Sequence, residues 1–297
     1  MENSLKLHKN IFGIDVGNAT TVTDTGIILD SKATHIEPLN KCDKLVLDGE
    51  TYYIGEGEFD TTYRKVEKKI YLPMLYTALA LSSDYTYNKI VLGLPLSQFK
   101  EDKDKLINFV MRNNNKIIEL NNVERKIIIE DIEVFPEGIF TVEDNFEGIV
   151  IDIGGRTTDA AMIEIVRNKK KIIEPISLPV GTINLYESFI DTINSKYGLD
   201  LKLRDAERIL KNGLYIDGNI VNLDFAYEVF KNYTDSLINQ LQVKYSLRTN
   251  RISVTGGGAE LIFDLLKERL GSNVFKQENG ILANARNYYE LGMNIFM

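Results

Sequence analysis

Apolar positions along the chain switch between two spacings, and each switch predicts an element. Alternation dominates the early segments. Residues 11–30 read as a glycine-turned hairpin with a second turn at Gly26, and KLVLDGETYYIGEG (44–57) reads as another hairpin around Asp48-Gly49. IVLGLP (90–95) predicts a short buried strand, and IIIEDIEVF (127–135) predicts a strand followed by Pro136-Glu137-Gly138. Helical spacing predicts a core helix over 71–81 and a polar helix over 100–114. Further along, a helix follows the Pro-Val-Gly turn within 178–189. Amphipathic helices cover 203–211, ended by Asn212-Gly213, and 225–247, with Phe225, Val229, Tyr233, Leu237 and Leu241 four apart. The chain finishes with a strand (252–255), three glycines, a helix (259–270) and a last helix (281–292).

One stretch organises the rest. In IVIDIGGRTTDAAMIE (149–164), an apolar run ends in Asp152, then come Gly154, Gly155 and paired threonines, then a second apolar run. The pattern predicts strand, tight turn, strand. Glycines let backbone N–H groups approach an anion, Thr157 adds a hydroxyl, and an aspartate at the end of a buried strand offers a fixed carboxylate to a hydrated Mg²⁺. An ordinary β-hairpin would read the same way in isolation. A second copy changes the picture: IDVGNATT (14–21) aligns with IDIGGRTT (151–158), about half a chain apart. Such a repeat implies two similar domains whose acidic hairpins face one phosphate tail. Strand, Gly256-Gly257-Gly258 and helix form a third anion-binding arrangement, because a helix N-terminus carries partial positive charge.

Composition narrows the function. A length of 297 residues suits two domains, and 44% hydrophobic content supplies their cores. No apolar run approaches the ~20 residues of a membrane span, and no signal-peptide pattern opens the chain. One cysteine, Cys42, excludes a disulfide framework and points to the cytoplasm. His8 and His35 stand apart on polar segments, so metal binding through them is not expected. A net charge of −8 argues against direct nucleic-acid binding. The basic runs Arg64-Lys65 with Lys68-Lys69, and Arg167 to Lys171, read as solvated turns or helix ends.

Three glycine turns and Glu137 in this order resemble the actin and Hsp70-type ATPase superfamily. Residues 11–21 are similar to its first phosphate loop and 149–159 to its second. FPEGIF (135–140) is similar to the first connecting segment, VTGGGAELI (254–262) to the nucleoside loop and 281–292 to the second connecting helix. GLPLSQF (93–99), YYIGEGE (52–58), GGRTTDAA and GGGAEL resemble the plasmid-segregation actins of the ParM/StbA type; compact archaeal relatives share these motifs. The resemblance implies an α/β, actin-like two-domain fold, each domain a mixed RNase H-like sheet with flanking helices. Residues 1–148 plus 281–297 would form domain I and 149–280 domain II, with ATP and Mg²⁺ in the cleft between them. Asp15 and Asp152 would orient the metal through its waters. Backbone groups around Gly17, Asn18, Ala19, Gly154, Gly155 and Arg156, with the Thr157 hydroxyl, would hold phosphates. Glu137 would position the attacking water. Gly256, Gly257 and Gly258 would pack on the ribose and first phosphate, and Glu207, Arg208 and Lys211 would border the nucleoside. One departure stands out. Some relatives carry a phosphate-binding lysine on the strand returning from the first loop, where this chain has Thr21-Val22-Thr23. Charge neutralisation is then expected from Mg²⁺, backbone and Arg156, with slower hydrolysis.

The expected activity is that of a filament-forming ATPase that segregates or positions plasmid DNA. Its partners would be further copies of itself and a DNA-binding adaptor, with no membrane involved. The alternatives are a non-polymerising ATP-dependent regulatory or scaffold protein and a small-molecule kinase of the same superfamily.

Overall fold

Alternation in Ile11–Val16 puts Phe12, Ile14 and Val16 into one apolar cluster and leaves Gly13 and Asp15 on the opposite face. The computed structural model describes residues 10–60, 62–139, 141–167 and 169–297, so the expectation about His8 lies outside the described residues. The first half of the chain holds β1 (Ile11–Val16), β2 (Thr20–Thr23), β3 (Ile28–Asp30), β4 (Lys32–Thr34), β5 (Asp43–Leu47) and β6 (Glu50–Phe59). A 3-10 turn (Lys65–Glu67) follows, then α1 (Tyr71–Ser82), β7 (Tyr87–Leu94), α2 (Leu96–Arg112), β8 (Asn115–Leu120) and β9 (Val123–Pro136). The second half holds β10 (Gly148–Ile153), β11 (Thr158–Val166), β12 (Lys169–Leu178), α3 (Thr182–Tyr197), α4 (Asp205–Asn212), β13 (Tyr215–Ile216) and β14 (Asn219–Ile220). It ends with α5 (Asp224–Gln242), β15 (Ile252–Thr255), α6 (Ala259–Leu270), β16 (Val274–Lys276) and α7 (Gly280–Phe296).

The repeat seen in the sequence is a repeat of topology. Among the described residues the first sheet has the order β3-β2-β1-β7-β9-β8-β5-β6-β4 and the second β12-β11-β10-β15-β16. In both, two successive antiparallel ladders lie on one side of the loop-bearing strand, β1 or β10, and two parallel ladders on the other. The registers also agree, since Asp15 pairs with Val22 and Asp152 with Asp159. The fold is thus two mixed sheets with flanking helices, the architecture the resemblance implies.

Packing follows from the same alternation. Ile149, Ile151 and Ile153 enter the cluster beneath α3 to α6, while Val150 belongs to a smaller cluster with Ile139, Phe146, Ala161 and Ile163. Asp152 therefore emerges on the face turned toward the first sheet. Although α7 is last in sequence, it packs on the free face of β1. A Cβ on Gly13 would collide with the carbonyl of Ala285, and one on Gly292 would lie 2.8 Å from Ile11.

Several elements differ from their expected form. α2 begins at Leu96, directly after Pro95, which supplies its N-cap. β8 pairs with β9 through a tight turn at Asn121-Asn122, both at positive φ. Lys169 to Lys171, expected in a turn or helix end, open β12. α5 stops at Gln242, and its buried stripe is Ala226, Phe230, Thr234, Leu237, Ile238 and Leu241, with Phe225, Val229 and Tyr233 only partly buried. The run Arg64 to Lys69 forms the 3-10 turn and buries Lys65 and Lys68.

Candidate active site

Each hairpin closes its turn in the same way. The N–H of Gly17 donates to the carbonyl of Thr20 at 3.0 Å, and that of Gly154 to the carbonyl of Thr157 at 2.9 Å. Two of the amides expected to face phosphate are therefore engaged within their own turns. The amides of Asn18, Ala19, Gly155 and Arg156 donate to no backbone carbonyl among the described residues. The two loops meet across the cleft: a Cβ on Gly155 would lie 2.6 Å from the Cβ of Ala19, so only glycine fits the approach. The carbonyls of Gly154 and Gly155 accept the first N–H groups of α3, which ties the second loop to that helix.

The cleft between the sheets has a volume of about 150 Å³ and brings Asp15, Glu137, Asp152, both loops and all three glycines of 256–258 to one wall system. Gly256, at φ +85°, and Gly258 press against Asp152 and Ile153, and the Gly258 N–H donates to the Ile153 carbonyl. Gly257 alone of the three faces open space. Glu207 lines the cleft and accepts a hydrogen bond from the Tyr186 hydroxyl. Arg208 and Lys211 do not line it; Arg208 pairs with Asp205 on the outer surface, as the turn of α4 dictates. Arg156 is half-buried and stands outside the cleft lining, within electrostatic reach of Lys68.

The cation in the cleft is Lys65, which comes from the 3-10 turn and not from the returning strand. Its ammonium is 3.1 Å from Asp15 Oδ1 and in contact with Glu137 Oε1, and the residue is 1% exposed. α2 places it there: Gln98 Oε1 accepts the Lys65 N–H at 3.0 Å, and Asp102 holds neighbouring Arg64 at 2.6 Å. Burial alone would lower the Lys65 pKa, but Asp15 and Glu137 overcome it and keep the ammonium protonated. Burial lowers Lys68 to about 8, against the pull of Asp60 and with help from Lys65 and Arg156.

The acids are under strain of the opposite sign. Burial pushes Glu137 well up, with Lys65 opposing and Asp15 and Asp159 adding to the rise. Burial raises Asp152 to about 7, against a hydrogen bond from Asn284. It raises Asp159 to about 6, although the Leu96 N–H donates to it at 2.9 Å and the nearby Ser177 and Thr157 hydroxyls oppose the rise. Asn284, on α7, touches both loop aspartates. Its Nδ2 lies 3.2 Å from Asp15 Oδ2 and 2.9 Å from Asp152 Oδ2, while its Oδ1 accepts the Gly138 N–H at 2.8 Å.

Residues 13–139 match the family described as Actin like proteins N terminal domain, and residues 150–268 match Archaeal actin homologue MreB-like, C-terminal. The chain belongs to the actin-like proteins. Its fold is similar to a 15-stranded ParM filament from Clostridium botulinum, at 22% identity and a TM-score of 0.80, covering 96% of this chain and 99% of that one. It is equally similar to Ta0583, an archaeal actin homolog, at 21% identity, a TM-score of 0.81 and the same coverage. A complex of Ta0583 with ADP aligns at 20% identity, a TM-score of 0.79 and again the same coverage. No curated protein matches the sequence.

In this actin-like chain, sequence reasoning missed Lys65, Asn284, Thr182 and Tyr186, all of which line the cleft. Lys65 sits in a charge run that looks like surface. Asn284 carries a weak signal, a polar residue four before Tyr288 and eight before Gly292 on the buried face of α7.

Proposed function

We propose that this protein is a Mg²⁺-dependent ATPase that polymerises and segregates or positions plasmid DNA through a DNA-binding adaptor. The observation that carries the reading is the convergence of Asp15 and Asp152, one from each hairpin, on a single amide in the cleft. Burial raises Glu137 and Asp152, neighbouring carboxylates add to the rise and Lys65 opposes it, and a bound divalent cation would offset the remainder. No cluster of three or more His, Cys, Asp or Glu among the described residues could hold a metal alone. That suits Mg²⁺, which keeps several waters and shares its remaining ligands with phosphates.

Asp15 and Asp152 would hold the metal through water, and the amides of Asn18, Ala19, Gly155 and Arg156 with the Thr157 hydroxyl would hold phosphate. Mg²⁺ would supply charge neutralisation at the phosphate oxygens. Glu137 orients the attacking water, Lys65 holds Glu137 and Asp15 in place, and Glu207 with Tyr186 borders the nucleoside. The moving parts would be residues 1–148 with 281–297 and residues 149–280. Nucleotide binding by Ta0583 and filament formation by the Clostridium protein support this reading. The acidic net charge of −8 favours an adaptor over direct DNA contact. Among the described residues no helix is long and apolar enough to cross a membrane.

Right-angle light scattering after addition of Mg-ATP, with phosphate release followed in parallel, tests the whole reading. Scattering should rise and then decay as phosphate appears. Glu137→Ala should retain ATP binding, release phosphate at least ~100-fold more slowly and form filaments that persist. Phosphate release with no scattering at any protein concentration would overturn the filament reading, and normal turnover in Glu137→Ala would overturn the role of Glu137.

A further inference from the structure

Asn284 bonds Asp15 and Asp152, one from each hairpin, and the connecting segment at Gly138. It is 8% exposed and sits one turn into α7. A neutral primary amide has two N–H donors and one carbonyl acceptor. The Gly138 N–H, 2.8 Å away, can only donate, so it fixes the Asn284 oxygen toward the segment after β9. Both amide hydrogens then face the aspartates, one for each Oδ2. The orientation is dictated by the backbone donor. Asp15 is completed from its other side by Lys65, which bonds Oδ1 and leaves Oδ2 to the amide.

We infer that Asn284 is a positioning residue that sets the spacing of Asp15 and Asp152, and so builds the metal's outer coordination shell only when the two sheets are closed together. This rests on the nucleotide reading above. The reason is geometric. The two aspartates stand on different sheets, and like charges so placed repel. A side chain with one donor could steady only one of them. The two-donor amide holds both at a spacing set by its own width, and α7 carries it on the same rigid face that packs against β1. Partners that orient metal-holding carboxylates from behind typically change metal affinity by about 10–100-fold when removed.

The test is the affinity of the full chain for a fluorescent N-methylanthraniloyl-ADP, measured with Mg²⁺ and again with EDTA, in wild type, Asn284→Leu and Asn284→Ser. Leucine keeps the volume and removes both donors; serine is small, folds more easily into the site and offers a single donor. The ratio of the two dissociation constants isolates the metal's contribution without any turnover. In wild type this ratio should be large. In either folded variant, judged by its thermal melt, it should shrink by about 10–100-fold, with affinity in EDTA little changed. An unchanged ratio, or equal weakening in both conditions, would reduce Asn284 to a structural role and overturn the inference. A wild-type ratio near one would instead overturn the Mg-nucleotide reading on which it stands.

Discussion

Lys65 is held by two carboxylates at its ammonium and by Gln98 of α2 at its backbone N–H. Lys68, the next buried cation, donates to the Asp60 carbonyl at 3.1 Å. Lys65→Met should therefore lower phosphate release by about a hundredfold, because Glu137 would lose the group that holds it toward the attacking water. Mg-ADP should still bind. Wild-type turnover in a coupled phosphate assay would refute the role. Asp24 gives a cleaner pH signature. Burial raises it to about 6, although it accepts the Gly13 N–H at 2.9 Å. The folded protein thus keeps a proton that the unfolded chain loses between about pH 4 and 6. Stability from this group is full below the unfolded pKa and is lost as pH rises through about 6. Asn at 24 keeps the bond and removes the titration. Urea melts should show Asp24→Asn more stable than wild type at pH 8 by about 1–2 kcal/mol, below the ~3 kcal/mol of a two-unit shift because water reaches a half-buried carboxyl. At pH 4 the two should coincide. At this scale the sequence was half legible. Asp15, Asp152 and Glu137 end strands whose alternation announces them. Lys65 was hidden, because its burial is decided by Asp15, fifty positions away, and by Gln98 on another element.

Elements that carry a strong period were readable, and those defined by a partner were not. β15 and α6 match their expected spans, since an apolar run, three glycines and an amphipathic run leave little choice. β12 contains Pro175 and three successive lysines, a composition that resembles a loop until β11 supplies its ladder. β8 is six residues long and becomes a strand by pairing with both β5 and β9. The most informative contact between elements crosses the cleft. Asp159, on β11, accepts the Leu96 N–H at 2.9 Å and so caps α2 of the opposite sheet. Asp159→Ala should remove about 1 kcal/mol of protection, roughly a fivefold rise in hydrogen exchange, from the first turn of α2. Exchange in α6, on the other side of the second sheet, should not change. Unaltered exchange at Leu96 would mean that the two sheets part too often for this bond to matter.

At the scale of the molecule, the repeat did more than any motif, because matching registers in two sheets force the paired aspartates to face each other. The same closeness raises a question of access. The cleft of about 150 Å³ falls below the roughly 300–1,000 Å³ usual for small-molecule sites. A nucleoside triphosphate is expected to need the sheets to separate before it binds, and the loops at Ala19 and Gly155 approach closely across the cleft. This can be locked chemically. The chain has one cysteine, Cys42, which can be changed to serine first. Ala19→Cys with Gly155→Cys then places two thiols across the cleft. Their Cβ atoms would start at 2.6 Å, so the loops must part by about 1 Å to reach the ~3.8 Å of a relaxed disulfide. Oxidised protein should neither take up nor release Mg-ADP, and reduction should restore exchange. If a fully bridged protein exchanged nucleotide as fast as the reduced form, the route to the site would have to lie elsewhere. The open groove behind α7, lined by Phe146, Arg251 and Gln277, would then be the side from which to look for it.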